Sequence, residues 1–423
     1  MKNKIVVTGA SGSVGRRVTD RLAAGDVFDE VVAVDVRGRR SRAADVVSER
    51  IDLRRDDLKP IFEDASTVVH LASSFEPHND GVDTAHADID ATRRVLDAAG
   101  SAGVQRLVLL SSAMVYGAWA ANPIPLTEHA AVRPNPEFSF AVVKAQTEQL
   151  AEEWRTAHPE TEVVILRPTT ALAESEFTWV ARSLRAAAVI DVEGQDPPLQ
   201  FLHLDDLAEA VLLAAEGGLD GTYNVAPDGS VDGETCRELV GRVPRVRLPE
   251  EAAEGVGRFR WRHRLAPTPP GITPYTMYPW VVANDRLRAA GWEPTFTNEQ
   301  AYVDGMPARP WATMNAKRRQ QVALGTAAVL IVASLLGLTV LTTAAAGCDD
   351  DADTGHCKDA TEEQENDPRS ECFVGEPEPN TAGSETGENA SGPAEIDLTG
   401  TWTLTADYEV YCEYFANENQ EAR

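Results

Sequence analysis

Lysine is scarce in this chain of 423 residues, with six against 33 arginines. A generic surface cation here is therefore an arginine, and each lysine carries more information than usual. Cysteine is sparse and unevenly placed. Cys236 stands alone, while Cys348, Cys357, Cys372 and Cys412 fall in the last part. A lone cysteine suits a reducing compartment, where it packs as a small apolar residue. Four in a short acidic stretch suggest an oxidising one, with three possible pairings. Metal binding by the four is the lesser alternative, because no CxxC pair occurs. His70, His78, His86 and His203 have no ligand spacing such as HExxH, so no metal is expected. There is no excess of positive charge: the formal net charge is −28, which excludes a basic nucleic-acid footprint. No export signal opens the sequence, so targeting is expected from elsewhere. No internal repeat occurs.

The acidity is concentrated. Residues 348–423 hold 21 acidic residues against three basic ones, leaving −10 of the −28 for residues 1–347. The region from 348 to about 395 is rich in Gly, Pro, Asn, Ser and Thr and is expected to be largely disordered. Just before it, Val322 to Ala346 is a run of 25 residues without a charge. As a helix that run spans roughly 30 Å of hydrocarbon with some tilt. Lys317-Arg318-Arg319 precedes it and Asp349-Asp350-Asp351 follows. The excess of positive charge before the span predicts a single-pass anchor with the N-terminal domain in the cytoplasm and the tail outside. The cysteine distribution agrees. Met314 to Cys348 also resembles a lipoprotein export signal with Cys348 as the lipidated residue, although Ala345 stands where leucine is usual.

The first part alternates short apolar runs with helical patterns. Val31–Val34, Thr67–Leu71, Arg106–Leu110 and Val163–Leu166 read as buried parallel strands. A helix over Thr92–Ala102 lies among them. This alternation predicts βαβ units and a doubly wound α/β Rossmann fold. A helix near Asp205–Glu216, capped by Asp205 or Asp206, and a strand at Thr222–Val225 follow. Residues 245–300, rich in Pro, Trp and Arg, read as irregular. The expected organisation is a dinucleotide-binding domain over 1–310, with smaller substrate-side elements at 169–200 and 240–300. The span at 322–346 and an extracytoplasmic tail at 347–423 complete it.

Lys4-Ile5-Val6-Val7-Thr8 runs directly into Gly9-Ala10-Ser11-Gly12-Ser13-Val14-Gly15, followed by a helical pattern to Leu22. Gly9 permits the tight turn, Gly12 lets backbone approach a pyrophosphate, and Gly15 lets the helix pack on the sheet. The helix N-terminus supplies unpaired N–H donors and partial positive charge. The strand before and the helix after are the context this motif needs. Asp35 ends the second strand, 20 residues after Gly15. Its carboxylate can accept from adenosine ribose hydroxyls and repel a 2′-phosphate, which favours NAD. Arg37, Arg39 and Arg40 keep NADP as the lesser alternative.

These residues, with Asp52-Leu53, His70-Leu71-Ala72, Ser111-Ser112-Ala113-Met114-Val115-Tyr116-Gly117, Leu166-Arg167-Pro168 and His203-Leu204-Asp205-Asp206, resemble the NAD-dependent epimerase/dehydratase family of extended short-chain dehydrogenase/reductases. The resemblance covers residues 2 to about 300. It implies hydride transfer on a nucleotide sugar or another alcohol or ketone. It implies adenine contact at Asp52, and a cofactor surface formed by Gly9, Ser11, Gly12, Ser13, Val14, Gly15, Asp35, Asp52, Leu53, Leu71, Ala72 and Lys144. Ser112 matches the family's catalytic serine and Lys144 its lysine, which would hold the nicotinamide ribose. The family's tyrosine, four residues before that lysine, is Phe140 here. Phenylalanine has no proton to give. The family's asparagine is Asp88. Three readings stay open. The protein binds NAD but is catalytically impaired; another acid, Tyr116 by position, replaces the tyrosine; or chemistry survives on Ser112, Lys144 and water. A homodimer is left open.

Overall fold

A computed structural model describes residues 3–38, 46–73, 85–173, 176–177, 179–188, 190–193, 195–240 and 246–305. The span expected at 322–346 and the tail at 347–423 lie outside the described residues. Among the described residues no helix is long and apolar enough to cross a membrane.

The Rossmann half runs β1 (Lys4–Thr8), α1 (Ser13–Ala24), β2 (Glu30–Asp35), β3 (Val46–Arg50), α2 (Lys59–Phe62), β4 (Ala65–His70), α3 (Ala85–Ala102), β5 (Arg106–Leu110), α4 (Ser139–Ala157) and β6 (Glu162–Pro168). Next come β7 (Thr170–Ala173), β8 (Glu176–Phe177), α5 (Trp179–Ala187), β9 (Ile190–Val192), β10 (Phe201–His203), α6 (Leu204–Glu216) and β11 (Gly221–Val225). The last described elements are α7 (Gly233–Val240), β12 (Val246–Leu248), α8 (Glu250–Arg262), α9 (Asp285–Ala289) and α10 (Asn298–Asp304).

Seven strands form one parallel sheet in the order β11-β6-β5-β4-β1-β2-β3. Each strand alternates its side chains between two layers of helices. On β1, Ile5 and Val7 join Val18, Leu22, Leu207 and Val211 on the α1–α6 face. Val6 joins Phe62, Val95, Leu96 and Trp154 on the α3–α4 face. Both faces are covered, so the strands read as continuous apolar runs. The chain winds outward from β1 to β3, then crosses back to β4 on the other side of β1. That reversal opens a crevice at the carboxyl ends of β1 and β4, the usual ligand position in such sheets.

Two local readings are corrected. The cap of α6 is neither Asp205 nor Asp206. His203 caps it, its Nδ1 accepting from the Asp205 N–H at 3.2 Å. Asp205 instead accepts from Arg17 (3.1 Å) and Arg21 (2.8 Å), tying α6 to α1. The Asp206 carboxylate accepts the N–H groups of Thr295 and Phe296, both at 3.0 Å. Residues 245–300 are also more regular than expected. They hold β12 on β9 and the 13-residue helix α8, besides α9 and the start of α10.

Candidate functional site

The glycine turn sits in the crevice. Gly9 has φ +72°, a backbone region that L side chains rarely adopt, and a Cβ there would lie 2.6 Å from the Ala72 nitrogen. The turn and the segment after β4 thus approach as closely as backbone allows. A Cβ on Gly15 would lie 2.7 Å from the Ala10 Cα, so α1 packs against its own entry turn. Gly12 is different. A Cβ there meets only the Gly9 oxygen, at 3.2 Å, so what Gly12 clears is space above the turn.

The start of α1 is open. Gly12 caps it with extended backbone and no side chain bonds to the free N–H groups. The first intrahelical bond from this turn is Arg16 N–H to Gly12 O at 2.9 Å. The N–H donors of Ser13, Val14 and Gly15 are then those that a helix start leaves for an anion. The Ser11 hydroxyl is buried without a hydrogen-bond partner. An orphaned hydroxyl beside an uncapped helix start fits a pyrophosphate, which would satisfy both.

Asp35, at the end of β2, stands beside the glycine turn. Its Oδ2 accepts the Ser11 N–H at 3.0 Å and its Oδ1 accepts the Arg37 N–H at 2.9 Å. A carboxylate has about four lone-pair sites, so capacity for ribose hydroxyls remains. The Arg37 guanidinium leans back on Asp35 at 3.4 Å. Arg39 and Arg40 lie outside the described residues. Asp52, expected to contact adenine, is turned to Arg54, which donates to both carboxylate oxygens at 3.1 Å. Those bonds hold the Asp52 carboxyl below its usual range. Leu53 is buried, and its carbonyl accepts from Arg94 at 2.8 Å. Leu71 and Ala72 line the crevice opposite Gly9.

The reacting end lies past β4 and β5. The Ser112 hydroxyl accepts the Met114 N–H at 3.2 Å, capping a short 3₁₀ turn, and keeps its own proton to donate. Lys144 on α4 gives a hydrogen bond to the Leu110 carbonyl at 3.1 Å. Burial pulls its pKa down, while the charges of Asp88 and Glu148 oppose the shift. Phe140 stands one helical turn earlier. Its ring lies 5.9 Å from the Lys144 ammonium, 4.9 Å from the Trp179 ring and 5.8 Å from Phe138. Tyr275 packs on Phe138 and donates to the Met114 carbonyl at 2.8 Å. An aromatic cluster thus surrounds Phe140, whose own ring brings no hydroxyl to the position of the family's tyrosine.

Asp88, the asparagine position, is buried in the first turn of α3 and accepts from the Ser73 hydroxyl at 2.5 Å. Beneath it runs a buried chain. The Thr8 hydroxyl bonds His70 Nδ1 at 2.7 Å, and His70 Nε2 bonds the Thr92 hydroxyl at 3.1 Å.

Tyr116 is not available as a substitute acid. It is fully buried and its hydroxyl donates to Asn224 at 2.8 Å. Arg167 donates to the same oxygen at 2.8 Å and is itself paired with Glu148 at 2.6 Å. Burial raises the Tyr116 pKa. Ser73, Trp179 and Tyr275 were not found from sequence. Ser73 follows His70-Leu71-Ala72 directly, and its polarity beside that motif was the one available signal. A cavity of about 430 Å³ lined by Trp119, Asn135, Glu137, Glu250 and Tyr278 shares no residue with this crevice.

The chain as a whole is similar to known proteins. A protein of Mycobacterium tuberculosis without an assigned activity is 27% identical over 312 residues, covering 71% of this chain and 82% of its own length. A UDP-glucose 4-epimerase of Streptomyces lividans is 28% identical, covering 61% of this chain and 86% of its own. Among solved structures, a UDP-glucose 4-epimerase of Thermus thermophilus in complex with NAD matches with a TM-score of 0.53 at 21% identity, over 71% of this chain and 97% of its own. At that identity the likeness carries the fold alone. The model of the NAD dependent epimerase/dehydratase family matches residues 5–226, from β1 through the glycine turn and Lys144 to β11. With that match over more than half its length, the chain belongs to the NAD-dependent epimerase/dehydratase family.

Proposed function

We propose that this protein holds NAD and transfers hydride with a nucleotide sugar or a related alcohol or ketone. The observation that carries the reading is the intact dinucleotide surface, from the open start of α1 and Asp35 to Lys144, which is held beside the crevice by the Leu110 carbonyl. Gly9, Ser11, Gly12, Ser13, Val14 and Gly15 would hold the pyrophosphate, Asp35 the adenosine ribose, and Lys144 the nicotinamide ribose. NAD, when bound, supplies the hydride acceptor. Asp35 favours NAD over NADP, since its carboxylate repels a 2′-phosphate. The epimerase relative supports a UDP-sugar as the substrate class. Ser112 would hydrogen-bond the reacting oxygen, and water would take the proton that Phe140 cannot.

A second reading has its own observation. Phe140 is buried against Trp179 and brings no ionisable group to the site. Under that reading the protein binds NAD or NADH without turnover and serves as a sensor or scaffold. The 25-residue uncharged run at 322–346 supports a membrane anchor for either reading, with the dinucleotide domain in the cytoplasm.

The test is a calorimetric titration of the full chain with NAD, NADH and NADP, followed by turnover assays on UDP-sugars. Tight NAD binding with measurable hydride transfer is expected. Binding without transfer on any sugar selects the second reading. Failure to bind any dinucleotide sinks both.

A further inference from the structure

The end of α8 differs from the rest of this acidic chain. From Gly255 to Leu265 the sequence holds Arg258, Arg260, Arg262, His263 and Arg264 and no acidic residue. Val256, Phe259 and Leu265 are exposed, Phe259 by 56% and Leu265 by 65%. Val256, Phe259 and His263 recur at helical spacing, so they share one face. The Phe259 and His263 rings are 4.4 Å apart. Ala253 and Gly257, on the adjoining face, are buried.

The cations of this segment divide in two. Arg258 pairs with Glu254 at 3.1 Å, and Arg260 donates to the Ala186 carbonyl at 3.3 Å. The exposed side chains of Arg262 and Arg264 have no hydrogen bond or ion pair among the described residues. Arg264 has φ +55°, in the left-handed region that favours glycine. The turn there is closed by Leu265 N–H to the Arg260 carbonyl at 2.8 Å, so backbone strain is kept at a position that carries a cation.

We propose that this face of α8 docks on an anionic lipid surface, with Phe259 and Leu265 entering the headgroup boundary and Arg262 and Arg264 meeting lipid phosphates. An amphipathic helix end with aromatic and aliphatic tips flanked by unpaired arginines has the chemistry of an interfacial contact. Charge complementarity selects the occupant. Residues 1–347 carry a net charge of −10, so this domain is on balance repelled by an anionic membrane and a local cationic patch sets where it approaches. The proposal rests on the anchor reading only for reach. Residues 306–321 separate α10 from the uncharged run and span at most ~55 Å extended.

The acidic tail at 348–423 is the competing occupant, and the experiment separates the two. The full chain is placed in lipid discs of neutral phosphatidylcholine, or of the same lipid with phosphatidylglycerol, and amide hydrogen exchange is followed over 253–265. Slowing on the order of tenfold in the anionic discs, lost at high salt, is expected from two arginines near charged lipid. The triple variant F259S/R262Q/R264Q abolishes the slowing. All three side chains are exposed, so its Tm is expected to match the parent. Equal exchange in neutral and anionic discs overturns the proposal. So does protection in detergent that disappears when the tail is cleaved, because the tail then covers the face. Retention of the chain by neutral discs reports on the anchor separately. A chain that is not retained is mixed with anionic vesicles instead, and the same exchange over 253–265 decides.

Discussion

Phe140 and Trp179 meet edge to face, with ring centroids 4.9 Å apart and planes at 86°. Contacts of this geometry contribute about 0.5–1.5 kcal/mol beyond the area they bury. Phe140 is therefore held in the aromatic cluster by more than its own apolar surface. The cluster is built from distant parts of the chain: Phe138 and Phe140 on either side of the α4 start, Trp179 from α5, and Tyr275 and Trp280 beyond α8.

A hydroxyl added to that ring tests whether the rest of the site is ready for catalysis. Phe140→Tyr places a phenol one helical turn before Lys144, whose charge lowers its pKa. Positioned acid–base groups contribute about 10²–10⁴-fold, and a rise of that size in hydride transfer is expected. The pH profile should gain a limb below ~10, where the new phenol titrates. Affinity for NAD, measured by calorimetry, should change little. If turnover stays absent on every sugar while NAD still binds, the substrate side is not a catalytic site.

Much of the cofactor surface was legible in sequence because glycine leaves a signature that no other residue imitates. Gly9 needs a positive φ and Gly15 a close helix, and both needs are local. Strands β1, β2, β4, β5 and β6 were legible because burial on both faces removes polar residues from them. Strand β3 was not. It is a sheet edge, and Val-Val-Ser-Glu-Arg is half exposed. The reacting end was legible only in part. Ser112 and Lys144 stand in motifs, but the bond from Ser73 to Asp88 joins residues 15 apart across the crevice mouth. The α6 cap was misread because histidine is an uncommon capping residue, and Asp205 is drawn away by Arg17 and Arg21.

Gly12 separates binding from folding. Its φ is −69°, open to any residue, and an added Cβ meets only the Gly9 oxygen at 3.2 Å. Gly12→Ala should leave stability within ~1 kcal/mol and weaken NAD binding at least about tenfold, since the methyl group occupies space the pyrophosphate needs. Gly9→Ala should cost ~2 kcal/mol or more, from its left-handed backbone and the Ala72 approach. Urea unfolding and calorimetry read the two effects. Equal stability losses in the two variants would show that Gly12 is structural.

Glu148 and Arg167 form a buried pair that also carries Tyr116. Glu148→Ala leaves a buried guanidinium without its carboxylate and should cost about 3–5 kcal/mol. Tyr116→Phe removes a donor to Asn224 and an acceptor for Arg167, and should cost about 1–3 kcal/mol. Because the Tyr116 hydroxyl is committed to these partners, Tyr116→Phe should not shift any pH–rate profile. A variant of normal stability that loses turnover would make Tyr116 the acid and refute this assignment.

His70 gives the fold a pH dependence of predictable sign. Burial, aided by the positive charge of Lys144 and opposed by Asp88, pushes its pKa down to about 4. In the unfolded chain the same group titrates near ~6.5. Between those values the unfolded state binds a proton that the folded state refuses. The stability due to the neutral ring is complete above ~6.5 and is lost as pH falls towards 4, amounting to about 3 kcal/mol. Protonation would also place a positive charge between Thr8 and Thr92, where one ring nitrogen now accepts. His70→Asn keeps an amide between the two hydroxyls and removes the titration. Urea unfolding at pH 7 and pH 4.5 should show the parent losing ~2 kcal/mol more than the variant. Carboxylates such as Asp52, held low by Arg54, respond alike in both proteins and cancel in the difference. Parallel losses in parent and variant would mean that His70 titrates alike in the folded and unfolded chain, so that the Thr8–His70–Thr92 chain takes up a charge under the cofactor crevice as pH falls.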